Sequence, residues 1–466
     1  MRMAEEDEMP TDWLIQRVKV GGLFGNLEHE FDLDSKNTRA ILIGPNGVGK
    51  TKLLNLVKAL LNLEISILLA EPFRLVEISF QNGEVLRCER QEHPSQLTRS
   101  SSQSVNSILL SLNYADGNAE WAFSSKEYNQ FEDWAEDRLL LRRRRGPGPK
   151  QWKLPAGLMS TDRLLNYCLT DEGESKFGPV FGGNARIIKG FLGHEKVCMV
   201  GADRLAGNGS FSASGDSSAS SHLISDTPDI VSHIRKEFED ARLDYVKVSQ
   251  SLDSTFPQRL LNEQGGGGRR MFDTENEFRA VYEVLRENFR ETTRNVGVDE
   301  IEMAPLPDRR LEGWEIEALT LHVLDGMAKI NSLTDLSQRV DIFEKLVNAK
   351  LVRSKIVVEP TGIFLRFADG QLVSPRGSNL SSGERHQIRM AFDLVFRSRS
   401  KRLVLVDEPE LSLHVNWQAE ILDEFESLRE VNDFQYIVAT HSPEIIGDAW
   451  EAVRPLTLKS EQGGEN

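Results

Sequence analysis

The chain has 466 residues, 39% of them hydrophobic and 27% charged, with a formal net charge of −16. That length sets a prior of two to three domains with a sizeable core, and the acidic balance argues against a uniformly basic nucleic-acid surface while leaving room for a local basic groove. Three distant cysteines, Cys88, Cys168 and Cys198, offer no zinc spacing and suit a reduced cytosol; no apolar run approaches the roughly 20 residues of a membrane span, and the acidic start (Glu5, Glu6, Asp7, Glu8) is unlike a signal peptide.

Trp13 to Leu33 reads as two antiparallel strands, with Asp32-Leu33-Asp34 as a turn. Ala40-Ile41-Leu42-Ile43 is a short apolar run of the kind that forms a buried parallel strand. Gly44-Pro45-Asn46-Gly47-Val48-Gly49-Lys50-Thr51 follows, and then Leu53, Leu54, Val57, Leu60 and Leu61 recur at helical spacing. Strand, glycine turn and helix are the context that the G-x-x-x-x-G-K-[ST] phosphate-binding loop requires. Gly44, Gly47 and Gly49 let the backbone curl until its N–H groups face one point. The helix start adds the positive end of its dipole. The expected ATP contacts are Gly44, Asn46, Gly47, Gly49, Lys50 and Thr51. Lys50 reaches the β- and γ-phosphates in this reading, and the Thr51 hydroxyl ligates Mg²⁺.

Leu75 to Arg87 reads as a hairpin around Asn82-Gly83. Residues 96–106 are rich in Ser and Gln and read as a loop. Arg142 to Arg145 form a basic run, able to grip phosphate or an acidic partner, or else a solvated loop. Cys198 to Gly201 closes an apolar run that leads into Asp203-Arg204. Residues 207–221 hold seven serines and read as a mobile linker. Three helical stretches follow. Ile234, Phe238, Ala241, Tyr245, Val248 and Leu252 mark the first, Phe278, Val281, Leu285 and Phe289 the second, and Leu333, Leu336, Val340, Phe343 and Val347 the third. Gly265 to Gly268, Pro305 and Pro307 break them. Phe256-Pro257-Gln258-Arg259 is placed at a helix end, as a joint or a cap. Ile363 to Val373 reads as a second hairpin, turning at Asp369-Gly370.

Asn379-Leu380-Ser381-Ser382-Gly383-Glu384-Arg385 precedes a helical run from His386 to Phe396. A serine-glycine turn opening a helix is an anion-binding arrangement; a plain N-cap by Ser381 or Ser382 is the other reading. Leu403 to Val406 is an apolar strand with Asp407 and Glu408 at its carboxyl end, the edge where open α/β sheets bind ligands. Asp407 is the expected Mg²⁺ carboxylate, acting through water, and Glu408 the general base for the attacking water. Tyr436 to Ala439 is another apolar run, ending in Thr440-His441-Ser442-Pro443.

Together these segments resemble the ABC ATPase superfamily: Leu380 to Glu384 its signature, Leu403 to Glu408 its Walker B strand, and His441 its switch histidine. The resemblance covers residues 13–70 and 356–450, roughly a third of the chain. It implies that Ser381 and Gly383 touch the γ-phosphate held by a second copy, in a head-to-tail dimer or higher homo-oligomer. It implies that His441 senses that phosphate and acts with Glu408 in hydrolysis. The continuation Pro409-Glu410-Leu411-Ser412-Leu413-His414 looks like the soluble RecF, SMC and OLD-type branch. So does the gap of over three hundred residues between loop and signature. The glutamine that related ATPases carry between these motifs has three candidate places, Asp203, Gln81 and Gln91; Asp203 and Arg204 equally suit a surface ion pair.

The expected fold is α/β: an ABC ATPase head, with a P-loop core of mixed sheet and an antiparallel side sheet, carrying an inserted, mostly helical short arm. Residues 1–95 form its N-terminal lobe, 96–225 an insertion with part of the head, 226–352 the arm, and 353–466 the C-terminal lobe. The expected function is a cytoplasmic ATPase that dimerises around ATP and regulates a separate nuclease or toxin effector in bacterial anti-phage defence. No room is left for a fused effector in the roughly 25 residues after His441. A RecF- or SMC-like DNA repair clamp is the alternative, which keeps nucleic acid open as a partner; a membrane is not expected. A stand-alone toxin with a site in 96–350 is a third reading, for which no compact acid/base constellation speaks.

Overall fold

Two amphipathic strands are the first described elements. β1 (Ile15–Leu23) pairs antiparallel with β2 (Leu27–Asp32), and Leu27, His29 and Phe31 alternate inward as a half-buried strand requires. β3 (Arg39–Ile43) is buried at its centre. It leads through the glycine turn into α1 (Lys50–Leu61), then α2 (Ile65–Ala70). β4 (Leu75–Phe80) and β5 (Val85–Gln91) form the expected hairpin, with Gly83 at φ +86°. β6 (Ser107–Tyr114) and β7 (Gly117–Ser124) extend it into an antiparallel sheet of order β2-β1-β4-β5-β6-β7. α3 (Ser125–Leu139), the small hairpin β8 (Gln151–Leu154) and β9 (Gly157–Ser160), α4 (Thr161–Cys168), α5 (Asp171–Phe177) and α6 (Gly183–Leu192) follow, then β10 (Val197–Gly201).

Three long helices come next: α7 (Thr227–Glu263), α8 (Glu275–Val296) and α9 (Gly313–Asn348). Phe278, Leu285 and Phe289 of α8 and Leu333, Leu336, Val340 and Phe343 of α9 are buried, as their spacing predicts. β11 (Ser354–Glu359), β12 (Gly362–Phe367) and β13 (Leu372–Val373) make a three-stranded antiparallel sheet of their own. α10 (Ser382–Phe392) runs into a π-helical turn, Asp393–Arg397. β14 (Leu403–Asp407), α11 (Val415–Asn432), β15 (Gln435–Thr440), α12 (Pro443–Ile446) and β16 (Val453–Pro455) complete the chain.

This computed structural model describes residues 13–36, 38–91, 106–139, 151–154, 157–193, 196–201, 227–263, 272, 274–297, 303–375, 380–399, 401–411 and 413–457. Arg142 to Arg145, Asp203, Arg204, Gly265 to Gly268, Asn379 and residues 96–105 and 207–221 lie outside them. Contacts divide the chain into two units, Met1–Asp216 with Phe396–Asn466, and Ser217–Val395. The first holds a parallel sheet of order β10-β14-β15-β3-β16 and the six-stranded antiparallel sheet. The second holds the long helices, β11 to β13 and α10. The fold is thus α/β, with a parallel P-loop sheet, antiparallel sheets and a helical arm.

One expectation is corrected. Pro257 lies inside α7 rather than at its end. The ring removes one helical N–H, and Arg259 works beside the gap. It donates to the Leu252 carbonyl (2.8 Å) and forms a bidentate pair with Asp325 of α9 (2.5 and 2.9 Å). These bonds hold the helix through a residue that ordinarily breaks it.

Candidate active site

Two positions of the glycine turn, Gly44 and Gly49, leave no room for a side chain. A Cβ at Gly44 would lie 2.7 Å from the Leu456 carbonyl oxygen. Gly49, at φ +90°, precedes α1, and no side chain caps that helix. The first N–H groups of α1 therefore have no side-chain acceptor at its N-cap, and they form the positive end of the helix. The turn is propped from behind by His29 of β2, whose Nε2 lies 2.9 Å from the Val48 carbonyl oxygen. Burial holds the His29 pKa below its ordinary value, so the imidazole is neutral and donates Nε2–H. At the rim, Phe24 is half exposed and adopts φ +52°. Its ring edge lies 3.2 Å from where a Gly49 Cβ would sit. Asn46 and Thr51 are exposed, while Lys50 is buried.

The carboxyl ends of β14 and β15 bring the other groups to the same edge. Asp407 is buried at the end of β14. Glu408 turns the chain with φ +48°, uncommon for a side-chain-bearing residue, while its N–H donates to the Ala439 carbonyl at 2.8 Å. Lys50 Nζ donates to the carbonyls of Gly44 (2.9 Å) and Pro45 (3.4 Å), and lies 2.5 Å from His441 Nε2. An ammonium can only donate, so His441 accepts with Nε2 and carries its proton on Nδ1. His441 Nε2 is 4.0 Å from Glu408 Oε1. Burial lowers the Lys50 pKa, and the carboxylates of Glu408, Asp407 and Glu410 oppose that shift. Lys50, Glu408 and His441, far apart in sequence, thus share one site with Asp407 beside it.

Two further residues, Glu410 and Gln418, join the site. Glu410 accepts from the Thr440 hydroxyl (2.9 Å) and from the His441 backbone N–H (2.6 Å). Gln418 accepts from the Ser442 hydroxyl (2.7 Å). Their partners lie 24 to 31 residues away, so only the fold reveals them. Of the candidate glutamines, Gln81 sits in the β4–β5 turn, and Gln91 ends β5, where its carbonyl accepts from the Ser107 hydroxyl.

Ser381 and Gly383 belong to the second unit. Ser381 is the N-cap of α10. Its hydroxyl accepts from Glu384 N–H (3.2 Å), and the Glu384 carboxylate accepts from Ser381 N–H (2.7 Å). This reciprocal box explains the Ser-x-x-Glu spacing as local structure, and Gly383 is buried in the first turn.

Residues 268–447 match the family described as "AAA domain, putative AbiEii toxin, Type IV TA system". That stretch includes the Leu380 to Glu384 segment, Asp407, Glu408 and His441; the glycine turn lies before it. No curated protein matches the chain. Solved structures similar to it include the Smc head domain with an extended coiled coil, bound to the C-terminal domain of ScpA, from Pyrococcus furiosus. That match has 13% identity, covers 93% of this chain and 91% of that one, and has a TM-score of 0.35. A Smc head bound to the C-winged helix domain of ScpA matches at 12% identity over 93% and 91%, TM-score 0.35. The SMC head domain from Thermotoga maritima matches at 9% over 95% and 94%, TM-score 0.28. The glycine turn between β3 and α1 suits a phosphate, and the family match across the later motifs makes residues 268–447 similar to an AAA-type ATPase domain.

Proposed function

We propose that the protein binds and hydrolyses ATP, dimerises head to tail around it, and regulates a separate nuclease or toxin effector in the cytoplasm of a bacterium defending itself against phage. The observation that carries the ATPase part is the meeting of Lys50, Glu408 and His441 at one edge of the parallel sheet. Gly44, Asn46, Gly47, Gly49, Lys50 and Thr51 surround the phosphates in this reading. The glycine cradle and the uncapped start of α1 suit a polyanion. Mg²⁺ would be held by Thr51 and Asp407 and would neutralise phosphate charge. Lys50 exchanges its carbonyl and histidine contacts for phosphate oxygens. That frees His441 to face the γ-phosphate, while Glu408 takes the proton of the attacking water. Ser381 and Gly383 of a second copy complete the site. The match of residues 268–447 to a family described as a putative AbiEii toxin supports the effector part.

Wild type, Lys50→Ala, Glu408→Gln and Ser381→Arg test this by ATP titration and light scattering. Lys50→Ala should bind no ATP; Glu408→Gln should bind it and stay dimeric; Ser381→Arg should bind it and stay monomeric. Normal ATP binding by Lys50→Ala refutes the nucleotide site, and ATP-driven dimers of Ser381→Arg refute the shared one. Tagged Glu408→Gln purified from its host should retain a stoichiometric nuclease or toxin. Recovery of the protein alone with protected DNA would replace the effector reading with that of a repair clamp.

A further inference from the structure

Glu410 has a specific geometry. One carboxylate oxygen accepts from the Thr440 hydroxyl, the other from the backbone N–H of His441 at 2.6 Å. That second bond is short and charge-assisted, among the stronger kinds a carboxylate makes. It grips the main chain of the histidine that touches Lys50 and faces Glu408. A second tie runs alongside. The Ser442 hydroxyl donates to Gln418 Oε1 (2.7 Å), and Gln418 Nε2 donates to the Leu413 carbonyl (3.1 Å). Ser442 N–H in turn donates to Thr440 Oγ1 (2.9 Å). Thr440, the last residue of β15, and the two residues after it are therefore laced to the segment after β14 and the start of α11. That segment is itself wound tightly, with Leu411 N–H donating to the Glu408 carbonyl and Leu413 N–H to the Glu410 carbonyl. It begins at Glu408, in its left-handed conformation.

We propose that Glu410 is a positioning residue for ATP hydrolysis: it fixes His441 against Glu408 and makes the segments after β14 and β15 move as one piece. A solvated acid in this place would leave the histidine loop free to move without the base. This role rests on the ATPase reading above, and it concerns turnover rather than nucleotide affinity.

The test is steady-state and single-turnover hydrolysis by wild type, Glu410→Ala, Glu410→Gln and Thr440→Val, with ATP affinity and thermal midpoint measured on each. Glu410→Ala should lose about 10- to 100-fold in kcat, the scale of one charge-assisted hydrogen bond. Its KM and ATP affinity should stay within about two-fold, since uniform binding is untouched. Glu410→Gln keeps an acceptor for His441 N–H and gains an amide donor towards Thr440, so it should recover most of the rate. Thr440→Val should fall between them. Wild-type kcat in Glu410→Ala overturns the proposal. So does loss of ATP affinity in both Glu410 variants, which would put the carboxylate on the nucleotide itself. A wild type with no turnover, or one whose turnover survives Lys50→Ala, overturns the ATPase reading and takes this role with it.

Discussion

Gly47 and Gly49 both have positive φ, +83° and +90°, but they differ in their surroundings, and alanine at each separates two costs. A Cβ at Gly47 meets nothing within 4 Å. Gly47→Ala therefore carries only the left-handed penalty, about 1–2 kcal/mol, less about 0.4–1 kcal/mol returned by a stiffer unfolded chain. A Cβ at Gly49 would lie 2.6 Å from Leu23 Cδ2, and Leu23 is fully buried. Overpacking adds about 1–3 kcal/mol, so Gly49→Ala should cost about 2–4 kcal/mol where Gly47→Ala costs about 1. For a unit of roughly 290 residues this predicts a fall in thermal midpoint of about 3–8 °C against about 1–2 °C. Differential scanning calorimetry at fixed pH measures both. In a double-mutant cycle, Leu23→Ala should relieve part of the Gly49→Ala cost, because the clash is with that side chain. Equal midpoints for the two glycine variants, or strict additivity with Leu23→Ala, would refute the steric argument.

His29 makes the stability of the first unit pH-dependent. Burial depresses its pKa in the folded protein, so the unfolded chain binds a proton that the folded chain refuses. Stability is full above the ordinary histidine value of about 6.5 and falls as pH drops from there towards the depressed value. His29→Gln keeps a donor for the Val48 carbonyl and cannot titrate, so its urea midpoint should be flatter between pH 7 and 5 than that of wild type. A wild-type curve already flat in that range would contradict this. In the arm, Arg259→Ala strands the buried Asp325 carboxylate and should cost about 3 kcal/mol by urea denaturation, with the pair replaced as Arg259→Met and Asp325→Leu recovering most of it. A loss under about 0.5 kcal/mol in Arg259→Ala would show that the pair is worth no more than a surface one.

The glycine turn and the strands around it were legible in the sequence because local chemistry dictates them. Gly44 to Thr51 can adopt few backbones, and the apolar runs at 40–43, 403–406 and 436–439 are too short for anything but buried strands. An N-cap by Ser381 or Ser382 was open as one of two readings there; the reciprocal bonds with Glu384, three residues on, place it at Ser381. Pro257 misled because its usual effect on a helix is offset by Arg259 and Asp325, a partner sixty-odd residues away. β6 and β7 lie within the 96–225 insertion, just past the Ser- and Gln-rich loop at 96–106, and no turn signal as plain as Asn82-Gly83 marked them out. Glu410 carried no signal of its role, because Thr440 and His441 become its neighbours only when β14 and β15 pair.

That pairing explains why the site depends on strand register. β14, β15 and β3 run parallel, with Asp407 opposite Ala439, Ala439 opposite Leu42, and Thr440 opposite Ile43. The strands end nearly level, so the residues that follow them emerge at one edge: Gly44 after β3, Glu408 after β14 and His441 after β15. A slip of one residue in β14 would move Asp407 and Glu408 along the edge and turn each side chain to the opposite face. The four apolar residues Leu403 to Val406, all fully buried, resist that slip, because their packing on both faces must be satisfied together. The connection between β10 and β14 can vary widely in length without disturbing this alignment, since parallel strands are joined by crossovers rather than tight turns. The arm is therefore free to differ while the chemistry at the edge stays fixed.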